Sequence, residues 1–293
     1  MNYGYNTRSI KDRQKDEFRK VSQILQDLSV LVLEEAVEAN IYAFTPFSHN
    51  WPEAEVHAGS ELSWCITGIY FPWCNVAFRA RLAPSEIDTT VEGVIAKART
   101  KNVPLQWWIG RDTRPGNLGE HLKGHGFIHR GDAPGMAIDL YNMHENRSKL
   151  SNLTITEVNG VDDLKIWCHV TSVGYGIRER GEQALIDWFT KDIALQQPLK
   201  FYLGWLKGKP VATSLLFMAR GVAGLYFVAT IPEARRQGIG YAITLEPLQE
   251  ARKMGYRVGI MQASEMGEPV YLKMGFKEYC KIGSYVWVNI PLK

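Results

Sequence analysis

Residues 231–241 read IPEARRQGIGY, and they follow GLYFVAT, a run rich in β-branched and aromatic residues that ends at Thr230. An apolar helical pattern begins after Gly238, yet no Ser, Thr, Asp or Asn precedes it to cap the first free N–H groups. Glycines at 238 and 240 remove the Cβ atoms that would block a close backbone approach. Free N–H groups at the positive end of a helix dipole, with Arg235 and Arg236 at the rim, favour a phosphate or pyrophosphate. Two phosphate motifs fail on residue type. The dinucleotide fingerprint needs a small residue where Ile243 stands, and GWLKGKP at 204–210 has the wrong spacing for a Walker loop, with Pro210 where a hydroxyl should be.

The string Arg235-Arg236-Gln237-Gly238-Ile239-Gly240 resembles the R/Q-x-x-G-x-G/A coenzyme A loop of the GNAT family of N-acetyltransferases. Downstream, YLKMGF at 271–276 resembles that family's Y-x-x-x-G-F element, and the resemblance extends over residues 153–290. It implies acetyl-CoA as cosubstrate, no metal, and direct transfer of the acetyl group to a primary amine of a small molecule in a ternary complex. The resemblance further implies that Val228, Ala229 and Thr230 lend backbone groups to the pantetheine arm and acetyl carbonyl, and that the two central strands splay apart there. By the same resemblance, Tyr241 is expected to complete the coenzyme loop, Ser264 to lie near the coenzyme, and Tyr271 to be the proton donor to the leaving thiolate. Tyr175, Arg178 and Glu179 fall where the family's first two helices border the acceptor. A non-catalytic acyl-CoA sensor and a protein N-acetyltransferase are the competing functions.

Each of these residues also has a purely structural reading. Gly238 and Gly240 could form a tight strand-to-helix turn, Tyr271 could be a packing aromatic, and Arg235 could pin the loop rather than touch phosphate. Tyr175, Arg178 and Glu179 could belong to a solvated helix start. Pro247, inside the helix that opens at Gly238, removes an N–H and predicts a kink or a changed axis.

The elements around these residues alternate in an α/β pattern that predicts a mixed sheet, organised as two GNAT-like acyl-CoA N-acyltransferase domains in tandem. The polar stretch YNMHENRSKLSN at 141–152 is the expected boundary, giving a degenerate domain over 1–150 and a catalytic domain over 151–293. The first is expected to open with one long helix over residues 10–40, with Val21, Ile24, Leu25, Leu28, Leu31 and Val32 on one face. Aligning HGF at 125–127 with MGF at 274–276 puts Leu122 opposite Tyr271, and no glycine lies between Gly68 and Gly93, so this half lacks both proton donor and coenzyme loop. Ser85 and Asp88 suggest a capping box on its helix instead, and WW at 107–108 suggests core packing or a cleft wall. His121, His125 and His129 recur every four residues, but Gly124 and Gly126 would end the helix before the third, which argues for a surface cluster over a metal site.

With 45% hydrophobic residues, net charge +3 and no long Lys/Arg block, the 293-residue chain fits a globular protein that does not bind nucleic acid. Cys65, Cys74, Cys168 and Cys280 show no C-x-x-C spacing and read as free thiols. No apolar run reaches membrane-spanning length and the N-terminus has no apolar leader, so a cytoplasmic location is expected, with a homodimer left open.

Overall fold

The strands of both halves join one mixed 11-stranded sheet in the computed structural model, which describes residues 23–44, 54–145, 150, 152–190 and 198–288. The first half contains α1 (Val30–Phe44), β1 (Glu55–Ala58), β2 (Ser63–Ile66), β3 (Asn75–Phe78), α2 (Ile87–Thr100), β4 (Leu105–Ile109), α3 (Leu118–Gly124) and β5 (Ile128–Asp139). The second contains β6 (Leu153–Glu157), α4 (Val161–Tyr175), α5 (Glu179–Thr190), β7 (Leu199–Leu206), β8 (Lys209–Ala219) and β9 (Val222–Thr230). It continues through α6 (Ile239–Lys253), β10 (Val258–Gln262), α7 (Glu268–Met274) and β11 (Lys277–Trp287).

The strand order β1-β2-β3-β4-β11-β5-β10-β9-β8-β7-β6 shows that the last strands of the two halves have crossed over. β5 pairs antiparallel with β10, Met136 opposite Met261, while β11 pairs antiparallel with β4, Tyr285 opposite Trp107. β5 and β11 also pair with each other, so each half of the sheet is completed by a strand from the other.

Side-chain alternation along the strands divides the core by face. Val258 and Ile260 of β10 join one cluster with α1, α4 and α5, whereas Met261 joins α6 and α7 on the opposite face. On β4, Trp108 faces the α1 side and Trp107 packs with α2 and α3, so both tryptophans are core residues rather than cleft walls. α1 crosses the seam between the halves: Asn40 donates to the Ala219 carbonyl at 2.9 Å and accepts from the Tyr226 hydroxyl at 2.7 Å, and Phe44 stacks on Tyr226 at 4.8 Å.

Two sequence expectations need correction. The N-terminal helix begins at Val30; Ile24, Leu25 and Leu28 precede it in non-helical backbone, where the Leu25 N–H pairs with the Gly221 carbonyl, and residues 10–22, including Val21, lie outside the described residues. The Ser85–Asp88 capping box does not form: a 3-10 turn at Pro84–Glu86 leads into α2 with no side-chain cap, and Asp88 instead meets His121 and His125. α6 runs on through Pro247. The missing Pro247 N–H would have met the Ile243 carbonyl, which Ser214 of β8 satisfies with its hydroxyl at 2.8 Å.

Candidate active site

β9 and β10 lie parallel but pair only at Ala223 with Gly259 and Gly224 with Ile260, after which β9 continues to Thr230 without β10 beside it. A bulge shapes the diverging end. Thr213 is opposite Ala229 and Leu215 opposite Tyr226, so Phe227 and Val228 together face the single residue Ser214. Phe227 holds a left-handed φ of 49°, uncommon for a bulky residue. Its carbonyl accepts from the Thr213 hydroxyl at 3.1 Å, and its ring sits among Trp73, Trp167 and Phe189 at 5.1–5.7 Å.

Beyond Thr230 the chain makes one 3-10 turn and enters α6 through Gly238, whose φ of 82° is left-handed and which caps the helix with no side chain. A Cβ at Gly240 would meet nothing closer than Thr230 Oγ1 at 3.9 Å, so the helix start borders open space in which a ligand can approach the backbone. The Arg235 guanidinium donates to the Thr230 carbonyl at 3.1 Å and to the Gly174 carbonyl at 2.7 Å, tying the loop to β9 and to the end of α4. Arg236 stays at the rim with φ 61°. The Tyr241 hydroxyl donates to the His144 carbonyl.

Tyr271 projects from α7, 7% exposed, with its ring over Gly267, where a Cβ would sit 3.0 Å from the phenol oxygen. Burial raises its pKa to about 12. The YLKMGF run has a local cause: Gly275, at φ 103°, ends α7 in the left-handed conformation, so that the Phe276 N–H reaches the Tyr271 carbonyl at 3.1 Å. Ser264 folds the preceding loop, accepting the Gly267 N–H on its hydroxyl at 3.2 Å. Tyr175, at the end of α4, donates its hydroxyl to the Val228 carbonyl at 3.3 Å; the residue is 47% exposed, but its hydroxyl end is enclosed, and that burial, then the nearby Tyr271, raises its pKa.

These pieces open on one cleft of about 1550 Å³. Of the sequence-predicted residues, Val228, Ala229, Thr230, Arg235, Arg236, Gly238, Gly240, Tyr241, Ser264, Tyr271 and Tyr175 line it. Ile239 is buried in the core beneath the loop, and Gln237 is exposed, donating to the Glu233 carbonyl at 3.5 Å. Arg178 stands on the exposed turn after α4 and Glu179 opens α5, exposed as well, both outside the cleft wall. Leu245, Glu246 and Gln249 on α6, Met266 before α7 and Lys273 on it also line the cleft. Helical spacing from Tyr241, to Leu245 and Gln249, and from Ala242, to Glu246, points to the first three, but sequence reading did not single them out.

The corresponding strands of the first half do not stay apart. β3 and β4 pair at Val76–Gln106 and Ala77–Trp107, and the Arg114 N–H then donates to the Ala80 carbonyl while the Leu82 N–H donates to the Arg114 carbonyl, each at 2.9 Å. This bridge closes the gap that remains open between β9 and β10. Leu122, aligned with Tyr271, is a core residue. The three histidines meet carboxylates: His121 and His125 share Asp88 Oδ1 at 3.0 Å, His125 also meets Glu92 at 2.7 Å, and His129 meets Asp132 at 2.8 Å. Burial lowers the His125 pKa, but the bonds to Asp88 and Glu92 outweigh it and raise the value overall.

Residues 165–276 match the model of the Acetyltransferase (GNAT) family. No curated protein matches the sequence. Among solved structures, the chain is similar to a GCN5-related N-acetyltransferase from Kribbella flavida, with TM-score 0.66 and 15% identity over 92% of this chain and 98% of that one. A functionally unknown conserved protein from Staphylococcus epidermidis follows at TM-score 0.64 and 13% identity, covering 83% of this chain and 98% of that one. A tandem GNAT protein from the clavulanic acid biosynthesis pathway aligns at TM-score 0.53 and 13% identity, covering 92% of this chain and 99% of that one. At such identities the structural likenesses speak to the fold alone; the family match itself identifies residues 165–276 as a GNAT acetyltransferase domain.

Proposed function

We propose that the protein is an N-acetyltransferase that moves the acetyl group of acetyl-CoA to a primary amine of a small molecule, both held at once in the cleft. In this reading residues 151–293 are the catalytic domain and residues 1–150 a degenerate GNAT-like partner. The observation that carries it is the convergence of an uncapped helix start at Gly238–Gly240 and the buried phenol of Tyr271 on one cleft. Its volume of about 1550 Å³ exceeds the ~300–1,000 Å³ usual for a single ligand, which suits a coenzyme and an acceptor together.

Bound acetyl-CoA supplies a thioester whose carbonyl carbon the amine attacks as the C–S bond breaks. The helix start and Arg236 hold the pyrophosphate, while Arg235 keeps the loop in place through two carbonyls. The diverging end of β9 offers backbone groups at Val228–Thr230, and Tyr271 gives its phenolic proton to the departing sulfur, while the attacking nitrogen sheds a proton to solvent and the phenolate is reprotonated from solvent. Ser264 shapes the loop that borders the same end of the cleft.

Gly240→Asp places a carboxylate against the pyrophosphate position and is expected to abolish acetyl-CoA binding by calorimetry while circular dichroism is unchanged. Wild-type affinity in that variant defeats the pyrophosphate assignment. Incubation of the wild-type protein with acetyl-CoA and a broad amine panel is expected to release free thiol; tight acetyl-CoA binding without thiol release with any amine favours the acyl-CoA sensor instead.

A further inference from the structure

Resting on the reading of the cleft as an acetyltransferase site, we propose that its acceptor is an amine carried on an apolar, ring-bearing body, which stacks on Tyr175. Val173, Tyr175 and Met266 are 36%, 47% and 65% exposed, and all three line this one cleft. Large apolar side chains gathered at one opening are the mark of a binding surface, whereas scattered ones are ordinary. Tyr175 bonds to the Val228 carbonyl, Gly174 beside it approaches Ala229 and Thr230, and Met266 precedes Gly267, on which the Tyr271 ring lies, so a molecule resting on them brings its amine toward the reacting thioester.

Tyr175 is built as a fixed platform. Its hydroxyl is committed to the Val228 carbonyl, and its ring meets Phe227 edge-on at 6.5 Å, which leaves ring surface as what it presents to the cleft. Behind it the aromatic surface continues into the first half of the chain, because Trp73 packs on Phe227 at 5.1 Å. The segment carrying Trp73 is held by Asn75, whose amide donates to the Ile69 and Phe71 carbonyls at 2.7 and 3.0 Å and accepts from the Thr67 N–H at 3.0 Å. Tyr70 of that segment already carries a cation on its face, the Arg180 guanidinium at 3.6 Å.

The polar groups at this opening complete the selection. Glu265, next to Met266, is a carboxylate that attracts the incoming ammonium; Glu246, Arg236 and Lys273 also line the cleft, and the Arg235 guanidinium is engaged by two carbonyls. A polyhydroxylated amine would have to exchange many water hydrogen bonds for Val173, Met266 and a tyrosine whose hydroxyl is taken. An apolar ring loses nothing there and gains stacking.

The test measures thiol release from acetyl-CoA by the wild-type full-length chain with phenethylamine, ethanolamine and glucosamine. Phenethylamine is expected to give a kcat/KM at least about tenfold above the other two, the size of effect that aromatic contact and apolar burial supply. Tyr175→Ala is expected to erase that preference, Tyr175→Phe to restore it, and Met266→Ser to weaken it. Equal or better turnover of glucosamine by the wild type, or an undiminished preference in Tyr175→Ala, overturns the apolar-acceptor proposal and leaves acetyl transfer standing. Bound acetyl-CoA with no thiol released by any amine overturns both.

Discussion

The buried phenol of Tyr271 stays protonated across the range in which amines become nucleophilic, because burial lifts its pKa to about 12. Activity is therefore expected to rise with pH as the acceptor ammonium loses its proton, with no falling limb up to about pH 10. A descending limb near neutrality would show that some other acid serves the sulfur. Tyr271→Phe keeps the ring against Phe276 and Gly267 while removing the proton, so kcat should fall by about 10²-fold or more with acetyl-CoA affinity little changed. Wild-type kcat at every pH would remove Tyr271 from the mechanism. At this scale the sequence was most readable where a residue answers a backbone need: Gly238 and Gly275 hold φ values of 82° and 103°, and each marks its motif. Arg178 and Glu179 were less readable because nearness along the chain to Tyr175 does not say which way a turn projects them.

Between elements, one hydroxyl reconciles a proline with a helix. Ser214 donates to the Ile243 carbonyl that Pro247 leaves unmatched, and both residues of this contact are fully buried. Ser214→Ala is expected to destabilise the protein by about 1–3 kcal/mol, the cost of a buried carbonyl without a donor, seen as a lower denaturant midpoint at unchanged slope. An unchanged midpoint would mean that the helix relaxes to satisfy the group itself. The apolar pattern after Gly238 announced α6 but could not foresee this repair, since the donor lies 29 positions upstream on β8. It also overextended the N-terminal helix: Ile24, Leu25 and Leu28 have helical spacing, but the Leu25 N–H is drawn instead to the Gly221 carbonyl. The Ser85–Asp88 pair failed for a related reason, as Asp88 found partners in His121 of α3 and His125 just after it.

At the scale of the molecule, the open β9–β10 divergence and the bridged β3–β4 end make the two halves unequal. A titration is expected to find one acetyl-CoA per chain, competed by free coenzyme A at that same site; two equivalent sites would refute the degenerate reading of the first half. The crossing of β5 and β11 was not legible, because local pattern announces a strand without naming its neighbour. It predicts that residues 151–293 produced alone, with β10 stripped of β5 and β11 stripped of β4, aggregate or fail to unfold cooperatively, and that co-production with residues 1–150 restores a soluble complex. A soluble, cooperatively folding 151–293 fragment would show that β11 can take the place of β5. During synthesis the crossing sets an order of events: β5 leaves the ribosome long before β10 exists to receive it, and β4 waits for β11. Neither half can close its sheet while the other is unfinished, so the growing chain carries exposed strand edges until Lys277–Trp287 has cleared the exit tunnel, and a stop codon placed just before β11 would cost the first half its neighbour as surely as the second its end.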